Sequence, residues 1–459
     1  MQQHAQPDDE RYRQWRAAHG AAAAAWAHAL LQQAGGDTMA PRGCREANAG
    51  HGEPLAAAVA ADWAASGLMP LCGEAQAAPR RADHAFPSCA RGALVALRAL
   101  AGVEVLPGVD GSTLLSERAA YHGRTRAGRT SVNGQCQLLR ARDGWVALNL
   151  ARADDIELLP ALLADGTGPR IAHVDLPAIE NGDLGALRHA VVARASGDLV
   201  ARAALLGLPI AAPGEHPSPT QWFTRMDCTR VAPPAGMPRV LDLSSLWAGP
   251  LAAQLLQAAG AAVTKLESLG RPDASREGLP AFHALLNAGK ASVCLDLHTD
   301  AGLAALRAHI DAADIVIESA RPRALRQFGI DAEALLHRAP GKLWLRIAGH
   351  DPAPAASTDS NADQDLPRVA FGDDAAIAGG AALAGQDGPL FCGDALADPL
   401  TGLHAAVAAL AHWRAGRGAL LTLSLAGVTR WCVERTRHVP VLLPDPATVR
   451  LPAPRPGAT

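Results

Sequence analysis

Residues 239–267, RVLDLSSLWAGPLAAQLLQAAGAAVTKLE, decide the fold class of this chain. The apolar run from Arg239 to Leu243 is typical of a short buried strand. Pro250 lies where a helix can begin without losing a hydrogen bond, and Gly260 ends the helical pattern that follows. Val263 to Leu266 is the next apolar strand candidate. The stretch therefore predicts a strand, a helix and a second strand in direct succession.

The same alternation continues downstream. Further strand candidates are Ala291 to Leu297, Asp314 to Glu318 and Leu343 to Ile347. A helical pattern runs from Thr299 to Ala312, and its first residue is suited to cap the helix. Because strands that alternate with helices favour parallel pairing, residues 239–437 predict an α/β large domain, Rossmann-like, with a doubly wound and mainly parallel sheet.

The composition indicates a globular protein and disfavours nucleic acid as a partner. Hydrophobic residues make up 49% of the 459 residues and aromatic residues only 4%, so alanine, leucine and valine must fill the interior. The 42 Lys and Arg against 45 Asp and Glu give a net charge of -3. This balance cannot supply the positive field that a nucleic-acid backbone requires.

Cysteine spacing and hydropathy favour a cytoplasmic enzyme without a structural metal or a membrane segment. The 8 cysteines lie far apart, with no Cys-x-x-Cys and no His pair at zinc-ligand spacing. The amino terminus is polar, and no uninterrupted apolar run of about 18 residues follows it. The alanine-rich run from Gly20 to Leu31 is short and contains His28, so we interpret it as a surface helix.

Composition divides the chain into six segments. We predict an N-terminal helical and linker region at 1–54, a partial and degenerate copy of the large domain at 55–135, a small α+β domain at 136–215 with a strand from Trp145 to Leu150, a proline-rich linker at 216–238, the large domain at 239–437, and a proline-rich tail without packed structure at 438–459.

A spaced repeat links the first half of the chain to the second. Asp62, Gly67, Leu71 and Gly73 recur in order and spacing as Asp374, Gly379, Leu383 and Gly385, and Gly92, Ala96, Ala99 and Leu100 recur as Gly402, Ala406, Ala409 and Leu410. The pattern favours a partial duplication, although alanine-rich sequence also produces such matches by chance. We therefore expect either a homodimer or a monomer that uses its internal duplicate as a pseudo-dimer.

Several common catalytic motifs are absent from the sequence. It contains no phosphate-binding Gly-x-x-x-x-Gly-Lys-Ser/Thr, no Gly-x-Ser-x-Gly and no His-Glu-x-x-His. The first strand-to-helix turn, residues 244–250, is not a dinucleotide-binding fingerprint either. The sequence therefore predicts neither NAD nor a metal cofactor, and a role for ATP loses support.

Ordered strings in the second half resemble those of the family III CoA-transferases, a group that includes carnitine and bile-acid CoA-transferases and 2-methylacyl-CoA racemases. The matching strings are RVLDL and AGP within 239–250, GAAVTKLE at 260–267, NAGKASVCLDL at 287–297, ADIVIE with RP within 313–322, and ADPLTG at 397–402. The resemblance implies acyl-CoA and carboxylate substrates. Residues 143–209 look like the small domain of that family, which normally follows the large one.

By this resemblance Asp398 occupies the position of the catalytic aspartate. A carboxylate can attack a thioester to give a mixed anhydride, and return of the thiolate then gives an aspartyl-CoA thioester, which an acceptor carboxylate resolves. The alternative is that Asp398 caps the helix that contains residues 402–411. Asp394, four residues earlier, is interpreted as a loop residue because Gly393 precedes it.

The resemblance also implies CoA-binding residues and a flap. For CoA we predict contacts from Lys290 and Arg321, with Lys265 as the next candidate. We also predict contacts from three residues of the loop after the first strand, Ser245, Leu246 and Trp247. The lysines and the arginine could instead be strand-end charges, and Trp247 could fill the core. Gly379, Gly380 and Gly385 could form a mobile flap over the intermediate, or be ordinary turns.

The racemase branch of the family uses a histidine in a Gly-His-Asp segment as a base. Here the corresponding residues 371–374 place Gly372 at the histidine position, and we regard Gly349-His350-Asp351 as coincidental. The repeat places Ser88 opposite Asp398, which predicts an inert first copy. We therefore predict a CoA-transferase. An acyl-CoA racemase or isomerase and an inactive CoA-binding homologue are the alternatives.

Overall fold

The computed structural model describes residues 21–34, 52–164, 176–180, 183–320, 322–352, 368–437, 449–453 and 455. Within these ranges the helices are α1 Ala21–Gln33, α2 Gly52–Ala65, α3 Phe86–Ala101, α4 Glu117–His122, α5 Ala153–Glu157, α6 Leu159–Leu163, α7 Leu176–Glu180, α8 Leu184–Val192, α9 Ser196–Leu206, α10 Ala248–Ala258, α11 Ser275–Gly278, α12 Pro280–Asn287, α13 Asp300–Ala312, α14 Pro322–Gln327, α15 Ala332–Leu336, α16 Gly372–Ala378, α17 Ala397–Arg414 and α18 Leu425–Thr436.

The strands form a large sheet, a small sheet and a hairpin. They are β1 Cys136–Arg140, β2 Trp145–Asn149, β3 Ile210–Ala211, β4 Thr224–Arg230, β5 Arg239–Asp242, β6 Ala262–Ser268, β7 Ala291–Leu295, β8 Ile315–Glu318, β9 Leu343–Ala348, β10 Leu383–Gly385, β11 Gly388–Leu390 and β12 Arg417–Ser424. β1, β2 and β3 pair antiparallel as the small sheet, and β10 with β11 forms the hairpin. The predicted α+β character of this region is thus present.

The large sheet confirms the predicted doubly wound α/β fold. Its order is β4-β12-β9-β8-β5-β6-β7, and every pair is parallel except β12 with β4. The chain runs from β5 outward through β6 to β7, and then returns to β8 on the other side of β5. The carboxyl ends of β5 and β8 are therefore the switch point, where a fold of this kind forms a ligand crevice.

Sequence patterns located these elements to within a few residues. The Thr299 hydroxyl accepts a hydrogen bond from the Gly302 N–H at 3.1 Å, so the predicted cap of α13 is confirmed. The helix after β5 begins at Ala248, two residues before Pro250, and ends one residue before Ala259. Proline therefore occupies its third position, where no intrahelical N–H bond is lost.

The interpretation of the alanine-rich run as a surface helix is wrong. Helix α1 is buried along most of its length, and Trp26 and Leu30 are 7% and 0% exposed. α1 lies across α3 at Gly92, where a Cβ atom would come 2.6 Å from the Ala23 carbonyl oxygen. The absence of a side chain at Gly92 lets the two helices approach this closely.

The second half of the chain repeats this crossing. Helix α10 lies across α17 at Gly402, where a Cβ atom would come 2.7 Å from the Ala248 carbonyl oxygen. Gly92 and Gly402 are equivalent in the sequence repeat, and α3 also packs directly against α17. The repeated helix pairs thus share one hydrophobic core, which supports a duplication. The predicted domain boundaries remain a prediction.

Gly92→Ala should destabilise the protein without changing the chemistry of the second half. The added methyl group overpacks the α1–α3 crossing, and we expect a loss of about 1–3 kcal/mol in the free energy of unfolding. Urea denaturation measures this loss. Gly197→Ala, at an exposed site on α9 with no atom within 4 Å of the new methyl group, is the matched control. Equal urea midpoints for the two variants would contradict the packing at Gly92.

The prediction of an unpacked tail is wrong for the part that the structure describes. Val449 is 7% exposed and belongs to the main core. The Arg455 guanidinium pairs with the Glu117 carboxylate on α4, with Nη2 and Oε2 at 2.7 Å, and also donates to Gln254 on α10 at 3.1 Å. Arg455 thus anchors the described part of the tail to α4 and α10. The number of prolines in the tail does not indicate this contact.

None of the helices in the described part of the chain has both the length and the hydrophobicity needed to cross a bilayer.

Candidate active site

Asp398 lies beside the switch point of the large sheet. It is the second residue of α17, whose N-cap is Leu396, so Asp398 does not take the N-cap position. The N–H of Ala248, the first residue of α10, lies close enough to the carboxylate to favour its ionised form. Because α10 follows β5 directly, this proximity places the carboxylate at the carboxyl end of the sheet. The residue as a whole is partly exposed.

The surroundings of Asp398 make its carboxyl group harder to ionise. Burial raises its pKa to about 7, and the negative charges of Asp373 and Asp394 act in the same direction. The positive charge of Arg118 and the Ala248 N–H oppose this rise. Although part of the residue reaches solvent, the protein encloses the carboxyl group on most sides. Asp398 is therefore a carboxylate with little hydration, a state that favours nucleophilic attack.

Two further carboxylates, Asp373 and Asp394, act on Asp398 and are almost fully buried. Asp373 accepts hydrogen bonds from the Ala395 N–H at 2.8 Å and from the Asn133 side chain at 3.1 Å. Burial and the nearby Asp394 charge raise the pKa of Asp373 to about 6. Ala395 has a φ of +44°, which is costly for alanine, and the bond to Asp373 holds it there. Asp373 thus fixes the turn that leads into α17.

Asp374, which follows Asp373 on α16, links that helix to the small sheet. Its Oδ1 atom accepts hydrogen bonds from the Phe371 N–H at 3.0 Å and from the Asn149 side chain at 3.1 Å. Burial raises its pKa to about 8, so it is largely protonated at neutral pH. In the described ranges, no three His, Cys, Asp or Glu side chains are arranged so as to hold a metal ion.

Arg118, on α4, brings a cation into this acidic site. Its Nε and Nη2 atoms contact the Asp394 carboxylate at 2.8 and 2.5 Å. The centre of its guanidinium lies 4.8 Å from the Trp247 ring. Asp394 itself lies in the loop before α17, as predicted. Arg118, Asn133 and Asn149 were not predicted, because each is an isolated polar residue outside any recognisable motif.

Residues 236–442 match the profile of CoA-transferase family III. The match covers 207 of the 459 residues, and this segment is similar to that family. Succinyl-CoA--D-citramalate CoA-transferase from Chloroflexus aurantiacus is 31% identical over 201 residues, which cover 41% of this chain and 48% of that protein. Succinate--glutarate CoA-transferase from Agrobacterium fabrum is 31% identical over 215 residues, 43% of this chain and 52% of that protein.

Among solved structures, a CAIB/BAIF family protein from Brucella suis is 25% identical with a TM-score of 0.38, and the match covers 46% of this chain and 56% of that one. The chain therefore spans about half the length of the relatives described here. Asp398, Asp373 and Asp374 lie inside the family III match, whereas Arg118, Asn133 and Asn149 lie outside it. The site is built from both parts of the chain.

The two lysines predicted to bind CoA turn their ammonium groups inward in the family III segment. Lys290 Nζ is 2.9 Å from both Asp242 Oδ2 and the Pro250 carbonyl oxygen, and 3.0 Å from Asn287 Oδ1. Lys265 Nζ donates to the Ser244 carbonyl and lies 3.7 Å from Asp273 Oδ2.

These contacts give both lysines a role within the fold. Burial opposes ionisation of Asp242, but the charges of Lys265 and Lys290 outweigh it and lower the pKa of Asp242 to about 2. Both lysines also border a pocket of about 330 Å³, whose other lining residues include Arg276, His283 and Ser292. Their side chains are 2% and 1% exposed, so the structure favours support of the loop after β5 over direct contact with phosphate.

The loop after β5 offers two accessible residues and one buried residue. Ser245 is exposed, and its N–H donates to the Ser319 hydroxyl across the switch point at 3.1 Å. Leu246 is 38% exposed with a φ of +69°, and its N–H donates to the Asp273 carboxylate. Trp247 is 1% exposed and packs edge-on against Phe282, which fits the alternative in which it fills the core. Arg321 lies outside the described residues.

The glycines of the predicted flap occupy turn positions. Gly379 follows the last residue of α16, and Gly380 has a φ of +91° that favours glycine. Gly385 ends β10, where a Cβ atom would come 2.6 Å from the Gly388 carbonyl oxygen of β11. Backbone conformation thus favours glycine at Gly380 and close strand pairing favours it at Gly385, whereas at Gly379 a Cβ atom would come 2.6 Å from the Thr429 Cβ atom on α18. Movement of the flap remains a prediction.

In the first half of the chain, the position equivalent to Asp398 belongs to a packed polar cluster. Ser88 lies at the start of α3, and its hydroxyl donates to Asp62 Oδ2 at 2.6 Å. Arg91 pairs with the other oxygen of Asp62, also at 2.6 Å. Ser88 and Asp62 are both buried, and neither position offers a free carboxylate. This arrangement fits the expectation that the first copy is inert.

Gly372 lies directly against the Asp398 carboxylate. A Cβ atom on Gly372 would clash with Asp398 Oδ2 and come 2.6 Å from the Ala395 Cβ atom. The residue that the sequence resemblance pairs with the racemase histidine thus lies beside Asp398, and it is a glycine in this chain. The geometry supports this sequence correspondence, and Gly372 has no side chain that could act as the base of a racemase.

Gly372→Ala should slow any reaction at Asp398 by displacing its carboxylate. We expect a rate lower by about 10- to 100-fold, because a misplacement near 1 Å removes much of the benefit of orientation. The rate of acyl-CoA turnover measures this effect. Gly236→Ala, with no atom within 4 Å of its new methyl group, is the control. If Gly372→Ala retained the wild-type rate, Asp398 would not be the reacting group.

Proposed function

We propose that this protein transfers CoA from an acyl-CoA thioester to a carboxylic acid through a covalent intermediate on Asp398. The observation that carries the proposal is the state of this carboxylate. Burial disfavours its ionisation, the Ala248 N–H lies near it, the residue is partly exposed, and no cation of the described residues forms an ion pair with it. The CoA-transferase names of the family III relatives support CoA as the group transferred.

The chemistry follows from the carboxylate alone. An Asp398 oxygen attacks the thioester carbonyl carbon, the C–S bond breaks, and a mixed anhydride and a CoA thiolate form. The thiolate attacks the aspartyl carbonyl, which releases the donor acid and leaves an Asp398-CoA thioester. The acceptor carboxylate attacks this thioester and expels the thiolate again. The thiolate then attacks the acyl carbonyl of the new anhydride, which frees Asp398 and the product acyl-CoA.

The fold supports these steps at the Asp398 oxygens. Helix α10 directs its N-terminus toward the carboxylate, and such an end favours negative charge. This stabilises Asp398 whenever it leaves as a carboxylate. Asp373 and the Ala395 turn hold the start of α17 in place. Restricted access of water protects the anhydride from hydrolysis.

Trapping of the intermediate tests the proposal. The protein is incubated with succinyl-CoA or formyl-CoA, treated with hydroxylamine or borohydride, and digested for mass spectrometry. We expect modification of Asp398 that depends on the acyl-CoA. Modification of another residue, or none with either donor, would contradict the proposal. Exchange of the α-proton of succinyl-CoA with deuterium, without CoA transfer, would instead indicate a racemase or isomerase.

A further inference from the structure

Arg118 contacts both elements that hold the Asp398 carboxylate. On one side it donates hydrogen bonds to both carboxylate oxygens of Asp394, which lies four residues before Asp398 in the loop that leads into α17. On the other side it stacks over Trp247, the N-cap residue of α10. The N–H of the next residue, Ala248, lies near the Asp398 carboxylate and favours its ionised form. One side chain from α4 thus bridges the two segments whose relative position aims the carboxylate.

The charges around Asp398 come from three elements besides its own. Asp373 lies on α16, Asp394 lies in the loop before α17, and Arg118 lies on α4. His122, one turn after Arg118, is close to both Arg118 and Asp394. Among the charges of the described residues, that of Arg118 has the largest effect on the pKa of Asp398, and it lowers this pKa. Its side chain is only 13% exposed, so solvent screens its field weakly.

From this geometry we infer that Arg118 is a positioning residue that keeps Asp398 ionised and correctly oriented for attack on the thioester. The inference rests on the function proposed above and assigns a role to a residue outside the family III segment. It also explains why an arginine is needed. A planar guanidinium can grip both oxygens of Asp394 and stack on an indole ring at the same time, whereas a lysine ammonium does not reproduce both contacts.

Variants of Arg118 and of Asp394 can distinguish this role from simple structural support. The quantity to compare is the midpoint of the pH dependence of Asp398 modification. Arg118→Gln removes the positive member of the pair, whereas Asp394→Asn removes the negative member. Both variants break the same pair. If the pair only stabilises the fold, both should affect the site alike. If Arg118 acts electrostatically on Asp398, the two variants should shift the pH dependence of the reaction in opposite directions.

The experiment measures the rate of Asp398 modification from pH 5 to 9 with saturating succinyl-CoA or formyl-CoA. For Arg118→Gln we expect a midpoint higher by about one pH unit and a rate at pH 7 lower by about fivefold, with recovery at alkaline pH. Asp394→Asn should lower the midpoint. Arg118→Lys keeps the charge and should give a midpoint between those of the wild type and Arg118→Gln. If Arg118→Gln does not fold, Arg118→Lys and Asp394→Asn still decide the question.

Arg455→Gln is the matched control, because it breaks a buried arginine–carboxylate pair on the same helix α4 through Glu117. It should lower the thermal midpoint and leave the pH profile unchanged. Shifts in the same direction for Arg118→Gln and Asp394→Asn, or an unchanged profile for both, would overturn the inference while modification of wild-type Asp398 leaves the proposed function intact. No modification in the wild type would overturn both.

Discussion

Asp398→Asn should reduce CoA transfer by at least about 10³-fold, the largest loss that we expect from any single substitution, because it removes the nucleophile itself. The amide has nearly the same shape, and its oxygen can still lie near the Ala248 N–H. Its oxygen cannot, however, form a stable anhydride or thioester. We therefore expect acyl-CoA to bind with an unchanged Kd while covalent modification disappears. Single-turnover trapping and equilibrium binding, measured on the same preparation, separate these two effects.

Asp300→Asn is the control for this loss, since Asp300 is an exposed residue at the start of α13. It should retain the wild-type transfer rate. An Asp398→Asn variant that kept more than about one-tenth of the rate would mean that another group attacks the thioester. A wild-type protein that binds acyl-CoA without any modification would match the inactive homologue.

The large sheet was predictable because its strands are short apolar runs set between capped helices. Thr299 caps α13 and Pro250 lies in the first turns of α10, and both are local signals. The burial of α1 was not predictable from its own residues. In this helix 7 of the 13 residues are alanine and the remainder show no clear polar face, so the sequence does not indicate which side packs. Its contact Gly92 lies 69 positions after Ala23 in the chain.

The candidate site was only partly predictable for a related reason. Asp398 lies within a string that resembles a known family. Arg118, Asn133 and Asn149 act through contacts with carboxylates 276, 240 and 225 positions away in the sequence. Nothing in their local sequence marks them among other polar residues.

The two predicted CoA-binding lysines illustrate a different limit. Lys265 and Lys290 do border a pocket beside β6 and β7. Their ammonium groups, however, donate to Asp242, Ser244 and the Pro250 carbonyl. A sequence motif locates a residue near a site but does not say which way its side chain turns.

The wild-type rate of Asp398 modification should rise about tenfold per pH unit below pH 7 and level off above it, because only the carboxylate attacks and its pKa is about 7. At pH 5 the rate should be lower than its plateau by about 100-fold. Asp373 and Asp374, with pKa values of about 6 and 8, lie close enough to broaden the curve. Trapping under single-turnover conditions from pH 5 to 9 measures it, and a rate that is flat over this range would show an Asp398 of ordinary acidity.

The free energy of unfolding should fall as the pH rises, whereas the rate of Asp398 modification should increase. A buried carboxyl group with a raised pKa favours the folded state at low pH, and this contribution is lost as the pH rises from the unfolded-state pKa to the folded-state pKa. For Asp373, Asp398 and Asp374 that window begins at about pH 4 and ends at the folded-state pKa values of about 6, 7 and 8, so Asp398 and Asp374 still contribute to the fall above pH 6. Asp242, with its pKa lowered to about 2, stays charged throughout and contributes no slope. Urea denaturation at pH 6 and pH 8 should therefore show a fall in the free energy of unfolding, and a smaller fall in Asp398→Asn. An equal fall in both proteins would mean that Asp398 does not ionise in this window, and the rise in rate would then need another cause.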